Sequence, residues 1–311
     1  MPGKANTPCQ SSLNMNCKKY CYSFIFPLCG VFVVSTVCLA QNKKGGAKTK
    51  EKVIFFDDFA GKKFDRNKWN AEVTGMHVNN ELQAYVDTNS TTFLVSGAAA
   101  EGAKNGALII RPQWMPGFKT KDGQHFDFIS GRINTKDKFE FTYGKAEARI
   151  KLTEGTGLWP AWWMLGNGMW PACGEIDIME YVGEKDWASA AVHGPGYSGE
   201  TPFVNRQYFN VGNDVTRWHI YAVEWTPDAL CFKYDGKLMF RLTKKMTAHY
   251  GNWAFDNKKY LILNYALGGA YPVKVNAVTM PYNGMPASTV GLIKKNKAKM
   301  LVDWVRVTQE K

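Results

Sequence analysis

From Val53 onward the chain breaks into many short β-rich runs separated by Gly, Asn, Asp and Pro. This punctuation constrains the fold more than any other feature. The clearest runs are Val53–Phe56, Ala107–Arg111, Lys145–Leu152, Glu175–Tyr181, His219–Trp225, Leu230–Tyr234, Tyr260–Asn264 and Met300–Val307. Long helical periodicity is absent, apart from a short helix expected near Ser288–Asn296. Tyr234-Asp235-Gly236-Lys237 is a hairpin signal, because Asp-Gly favours a type I′ turn. In the last run Val302, Trp304 and Arg306 alternate with Asp303, Val305 and Val307, so both faces of that strand are expected to be covered. The 311 residues would suffice for one large sandwich or two small domains. Many short strands, no internal repeat and no sign of a second domain predict one all-β sandwich.

One of these runs carries chemistry. Residues 174–181 read Gly-Glu-Ile-Asp-Ile-Met-Glu-Tyr, with Glu175, Asp177 and Glu180 inside six positions. The flanking segment is apolar and aromatic, and ionised groups are costly to desolvate in such surroundings. Close like charges push one carboxyl upward, as a general acid near neutral pH requires. In a strand Glu175 and Asp177 share one face, with Ile176 and Ile178 on the other. Strict alternation would turn Glu180 inward. A β-bulge at Ile178–Met179 would return it to the carboxylate face, and bulges of this kind re-aim side chains beside active sites. The two glutamates would then stand roughly 5–7 Å apart, close to the separation in a retaining glycosidase. The plainer alternative is an acidic strand on a solvated face, which sits poorly between two tryptophan-rich segments.

The N-terminal part differs in kind. Lys18 and Lys19 precede an apolar run from Tyr20 to Ala40, followed by Gln-Asn-Lys-Lys-Gly-Gly. A basic start, an apolar middle and a small residue at the end describe a secretory signal peptide over residues 1–40. Translation is expected to begin at Met15, with residues 1–14 upstream of the true start. Left uncleaved, the run is long enough for an anchor, the only membrane contact expected. Residues 41–52, rich in Lys and Gly, read as a flexible basic linker. The protein is thus expected to be secreted, periplasmic or held at the cell surface. Net charge is +12, and without residues 1–40, which hold three lysines and no acid, it is +9. The remaining lysines are scattered and no nucleic-acid motif is visible, so a nucleic-acid partner is not expected. Five of seven cysteines fall in residues 1–40; Cys173 and Cys231 remain and are expected as two buried thiols rather than a disulfide framework.

With these residues in view, the chain resembles glycoside hydrolase family 16, in particular its laminarinase-like and mixed-linkage β-glucanase members. The resemblance covers nearly all of residues 52–309. Its hallmark is Glu175-Ile176-Asp177-Ile178-Met179-Glu180. Supporting stretches are Val78–Tyr85, Ser130–Thr135, Tyr143–Arg149, Trp159–Trp163, Val192–Tyr197 and Val302–Val307, in family order. The resemblance implies a concanavalin A-like β-jelly-roll sandwich over residues 53–309, with one concave sheet forming the substrate cleft. It implies Glu175 as nucleophile, Glu180 as acid/base and Asp177 as the residue between them that helps set both pKa values. It places His193 near the glutamates, and Asn80, Arg132, Glu147 and Arg149 where relatives hold sugar hydroxyls. A plain ion pair is the alternative for Glu147 and Arg149, which share a strand face. Trp159, Trp163 and Trp170 are candidates for stacking on sugar rings, while Trp162 points the other way and is expected in the core.

The implied activity is endo-hydrolysis of β-1,3 or mixed β-1,3/1,4-glucan with retention, through a covalent glycosyl-enzyme. A galactan substrate, transglycosylation, or glucan binding without catalysis are the alternatives. Asn264 opens a segment at the cleft edge, where Tyr265 and Ala270-Tyr271 depart from the commoner laminarinase wording. No cofactor is expected. His193 is not expected to bind a metal, because no second His or Cys sits at ligand spacing. The resemblance allows a structural calcium, but no spacing in the chain marks its ligands. A monomer acting on β-glucan is expected.

Overall fold

The computed structural model describes residues 51–311. The expected signal peptide, the start at Met15, the five N-terminal cysteines and linker residues 41–50 lie outside the described residues. Glu51 and Lys52, the last two residues of the expected linker, are no tether. They pair with Glu310 and Gln309 in the strand Glu51–Asp57.

The strands form two large sheets and one small one. The first large sheet runs, in spatial order, Lys237–Thr243, Ala229–Tyr234, His219–Trp225, Gly144–Lys151, Met300–Glu310, Ala107–Ile110 and Thr92–Val95, with Glu51–Asp57 also pairing Met300–Glu310. The second runs Phe203–Tyr208, Trp187–His193, Glu175–Glu180, Leu158–Gly166, Lys259–Leu267, Arg132–Asn134 and Asn70–Ala71. Every ladder in both is antiparallel. The small sheet holds a parallel pair, Gln83–Tyr85 against His125–Ser130. All eight expected strands are present. The Asp235-Gly236 turn joins its two strands with positive φ at both residues, as a type I′ turn needs. The expected helix is Ala287–Lys294, and Ala270–Asn276 adds a second short one.

One apolar core lies between the two large sheets. Ala146, Ala148, Ile150, Val305 and Val307 enter it from the first sheet; Trp162, Met164, Ile176, Ile178 and Met179 enter it from the second. Period-two alternation then decides what each sheet shows on its far side. This corrects the expectation for Glu147 and Arg149. With Ala146, Ala148 and Ile150 committed to the core, these two side chains stand on the outer face of the first sheet, away from the carboxylate strand. Glu147 pairs with Arg306 at 2.7 Å and Lys145 at 2.5 Å, and Arg149 pairs with Asp303 at 2.5 Å. They are ion pairs of the outer face, though not with each other. The fold is the all-β jelly-roll sandwich, with the second sheet turning its free face to the cleft.

Cys173 and Cys231 are both free thiols. Cys173 is buried as expected. Cys231 is half-buried, because it sits on the outer face between Glu224 and Arg241.

The two layers are tied at the carboxylate strand. The buried Tyr234 hydroxyl, from the first sheet, lies 3.0 Å from the Ile178 carbonyl and 2.8 Å from the Ser189 carbonyl, and its single proton serves both. Tyr234→Phe strands two buried acceptors. Urea unfolding is expected to show a loss of about 1–3 kcal/mol with an unchanged denaturant slope.

Candidate active site

The strand Glu175–Glu180 is bulged where the sequence required it. Against its neighbour Leu158–Gly166, Asp177 faces Trp163 while Met179 faces Trp162, so Ile178 is the extra residue. The register slips again on the other side, between Asp177–Ala191 and Glu180–Ser189. Ile178 and Met179 both go to the core, and Glu180 returns to the face that carries Glu175 and Asp177. Three carboxylates therefore share one surface.

Burial and proximity then separate their roles. Desolvation, above all, raises Glu180 to about 7, with the Glu175 and Glu81 charges adding to it. The Trp159 indole N–H, 3.1 Å from Glu180 Oε1, pulls the other way by favouring the ionised form. Asp177 is more extreme. Desolvation and the charges of Glu175 and Glu180 hold it well above the usual carboxylate range, with a hydrogen bond to Glu175 acting in the same sense. A protonated Asp177 is thus a donor to Glu175. His193 lies across from Glu175 in the next strand, its Nε2 3.4 Å from Asp177 Oδ2. Burial lowers its pKa despite the Glu175 charge, so the contact joins a neutral imidazole to a neutral acid rather than two ions.

Both glutamates are gripped by indoles. Trp159 holds Glu180, and Trp170 Nε1 donates to Glu175 Oε2 at 2.6 Å. Trp159 is packed edge-on against Tyr271, whereas Trp170 is 48% exposed on the rim. The chain before Glu175 is fixed from below. Gly174 has φ +71, and a Cβ there would meet the Ala254 carbonyl at 2.1 Å, so only glycine fits. The fully buried Lys259 ammonium donates to the carbonyls of Cys173 (2.8 Å) and Ala254 (3.0 Å) and to the Asn257 side chain. Burial lowers this lysine to about 7.

Beside the carboxylates the same face carries Trp163, whose indole N–H donates to Asn264 Oδ1 at 2.7 Å. Arg132 stacks over Trp163, 4.9 Å from the ring centroid, and pairs with Glu72 at 2.9 Å. Tyr85 completes this group through its hydroxyl, which accepts from Asn264 Nδ2 at 2.9 Å. Trp163, Arg132, Trp159, Trp170 and His193 are therefore assembled on the carboxylate face, and Trp162 is in the core. Asn80 lies in the exposed turn Val78–Asn80 against Gly269, next to Glu81, and its side chain makes no hydrogen bond to the three carboxylates. Glu147 and Arg149 belong to the other sheet.

Several residues of this surface were missed as site members in the sequence. Glu81 reaches Glu180 electrostatically, and Tyr271 reaches both Glu180 and, at 3.4 Å from its Oγ, Ser189. Glu81 lies in the stretch Val78–Tyr85 next to Asn80, so the sequence carries a signal for it. Ser189 had none, because it is a small residue in a run of alanines. Spacing also hid a possible ligand set. Glu175, Asp177 and His193 bring three metal-ligating atoms within 4.8 Å of one another, with the imidazole supplied by a neighbouring strand.

This arrangement has known counterparts. The family model described as Glycosyl hydrolases family 16 matches residues 68–305. Glucan endo-1,3-beta-glucosidase A1 of Niallia circulans is 32% identical over 83% of this chain, and the Beta-glucanase of Rhodothermus marinus is 35% identical over 67% of it. The chain spans 38% of the length of the first relative and 72% of the second. The endo-beta-1,3-glucanase of Pyrococcus furiosus superposes with a TM-score of 0.71 at 34% identity, covering 85% of this chain and 96% of that one. A carboxylate strand bulged so that Glu175, Asp177 and Glu180 share a face, on a jelly roll matched along most of its length, places this chain in glycosyl hydrolases family 16.

Proposed function

We propose that the protein is a secreted endo-β-glucanase that cuts β-1,3 or mixed β-1,3/1,4 linkages with retention of configuration. The observation that carries this reading is the pair Glu175 and Glu180. Glu175 accepts a hydrogen bond from the Trp170 indole and Glu180 is an acid with a pKa of about 7, on either side of Asp177. The glucanase names of its relatives support the substrate class. Export rests on the sequence of residues 18–40 alone.

In this reading a Glu175 oxygen attacks the anomeric carbon while the Glu180 proton passes to the glycosidic oxygen. The C–O bond to the leaving chain breaks, and a glycosyl ester forms on Glu175. Glu180, now a carboxylate, takes a proton from water as the water oxygen bonds the same carbon and Glu175 leaves. Two inversions give net retention. Asp177 holds its proton towards Glu175 throughout, which stabilises the carboxylate each time it is released. Trp170 fixes the direction of attack, and Trp163 with Arg132 offers an aromatic and polar floor beside the reacting ring.

Glu175→Gln and Glu180→Gln keep the shape of the side chain and remove its charge or proton. Each is expected to cut hydrolysis of laminarin by at least about 100-fold while leaving the circular dichroism spectrum and melting temperature close to those of the parent. Full laminarin activity in Glu175→Gln would overturn the assignment. The acid must be protonated for the first step, so kcat/KM is expected to fall as pH rises through about 7. Trp159→Phe removes a donor that favours ionised Glu180, so that alkaline limb is expected to move to higher pH. A limb that stays in place or moves down would contradict the role given to Trp159.

A further inference from the structure

We propose that Glu175, Asp177 and His193 form a site for a zinc-class divalent transition-metal ion, occupied in competition with glucan. One oxygen from each carboxylate and one imidazole nitrogen already lie within 4.8 Å of one another. Sheet pairing builds the set. Glu175 and Asp177 share a face two residues apart, and His193 stands directly across from Glu175 in the adjacent strand. Ligands on rigid paired strands are held more firmly than ligands on loops.

A second observation points to a ligand. Asp177 is 3% exposed, and its Oδ2 has no hydrogen-bond partner. That oxygen faces His193 Nε2 at 3.4 Å, a contact that does not satisfy it. The other imidazole nitrogen, Nδ1, is also buried without a partner. Leaving a buried polar atom unpaired is costly. An ion seated among the three side chains would give the Asp177 oxygen the partner it lacks.

The donor set selects the class of ion. Zinc accepts imidazole nitrogen and carboxylate oxygen at about 2.0–2.2 Å, often from three protein ligands with a fourth position open. Here the open position would face the cleft, from which the half-buried Glu175 and His193 are reached. Tetrahedral donors at that bond length stand about 3.3–3.6 Å apart, so the three side chains must close by about 1 Å. Calcium asks for six to eight oxygens and magnesium for an octahedron of them, so a three-donor set with one nitrogen suits neither. The ion would take an oxygen of Glu175, so binding and hydrolysis exclude each other. That last step rests on Glu175 being the nucleophile; the binding itself does not.

The test is calorimetric titration of zinc chloride into the metal-free full chain in which Cys231 and the five cysteines of residues 1–40 are changed to serine, which removes those thiols as rival ligands. One zinc ion per chain is expected. Its affinity should fall at least ten-fold both in His193→Phe and in the isosteric Glu175→Gln, and an excess of calcium chloride should not displace the zinc. In the parent, zinc is expected to raise the apparent KM for laminarin and leave kcat unchanged. No zinc binding, binding unchanged in both variants, or displacement of the zinc by calcium would overturn the site. Absence of laminarin hydrolysis by the metal-free protein would overturn the proposed function and not the site, because calorimetry reads the site directly.

Discussion

The bulge at Ile178–Met179 is the constraint on which the active surface depends. A regular strand would have sent Glu180 into the core beside Ile176 and Ile178, where an ionisable group has no partner and a desolvation cost of several kcal/mol. One extra residue gives the core two apolar side chains in succession and returns the glutamate to the cleft face. The irregularity in the ladder is supported from beneath, where Tyr234 of the opposite sheet meets the freed backbone at Ile178 and Ser189. The sheet that carries none of the three carboxylates thus braces the strand that carries them.

Once three carboxylates share a surface, their chemistry follows from small differences in surroundings. Asp177, in the middle and nearly out of solvent, feels both neighbours and is driven to its neutral form. Glu180 is desolvated as well, but an indole N–H partly restores its ionised form, which leaves it near 7 rather than far above. Glu175 accepts hydrogen bonds from the Trp170 indole and from Asp177, and so has donors for a negative charge. A group that must alternate between acid and base benefits from a value near the working pH. The two indoles are therefore electrostatic parts of the site as much as surfaces for sugar.

The core and the catalytic strand were legible because both follow period-two alternation, which a single sequence displays directly. The same rule placed Trp162 in the core and predicted the bulge from the awkward position of Glu180. It could equally have placed Glu147 and Arg149 on the outer face, since Ala146, Ala148 and Ile150 alternate with them. Reading those two residues by resemblance set that local signal aside. What stayed hidden lies across strands. His193 is 18 residues from Glu175 in the chain yet directly opposite it in the sheet. Tyr271 and Ser189 meet through tertiary packing, and no spacing foretells such pairs. Lys259, one position before the expected strand Tyr260–Asn264, has no signal of burial in the sequence and proves to be a buried brace beneath Glu175.

The central claim is that Glu175 attacks the sugar and Glu180 serves first as acid and then as base. The anomeric configuration of the first-formed product tests it most directly. Proton NMR of laminarin hydrolysis, followed from the earliest time points, should show the β-anomer of the new reducing end appearing first and the α-anomer growing in later by mutarotation. If the α-anomer appears first, water attacks the sugar directly, and no glycosyl ester forms on Glu175.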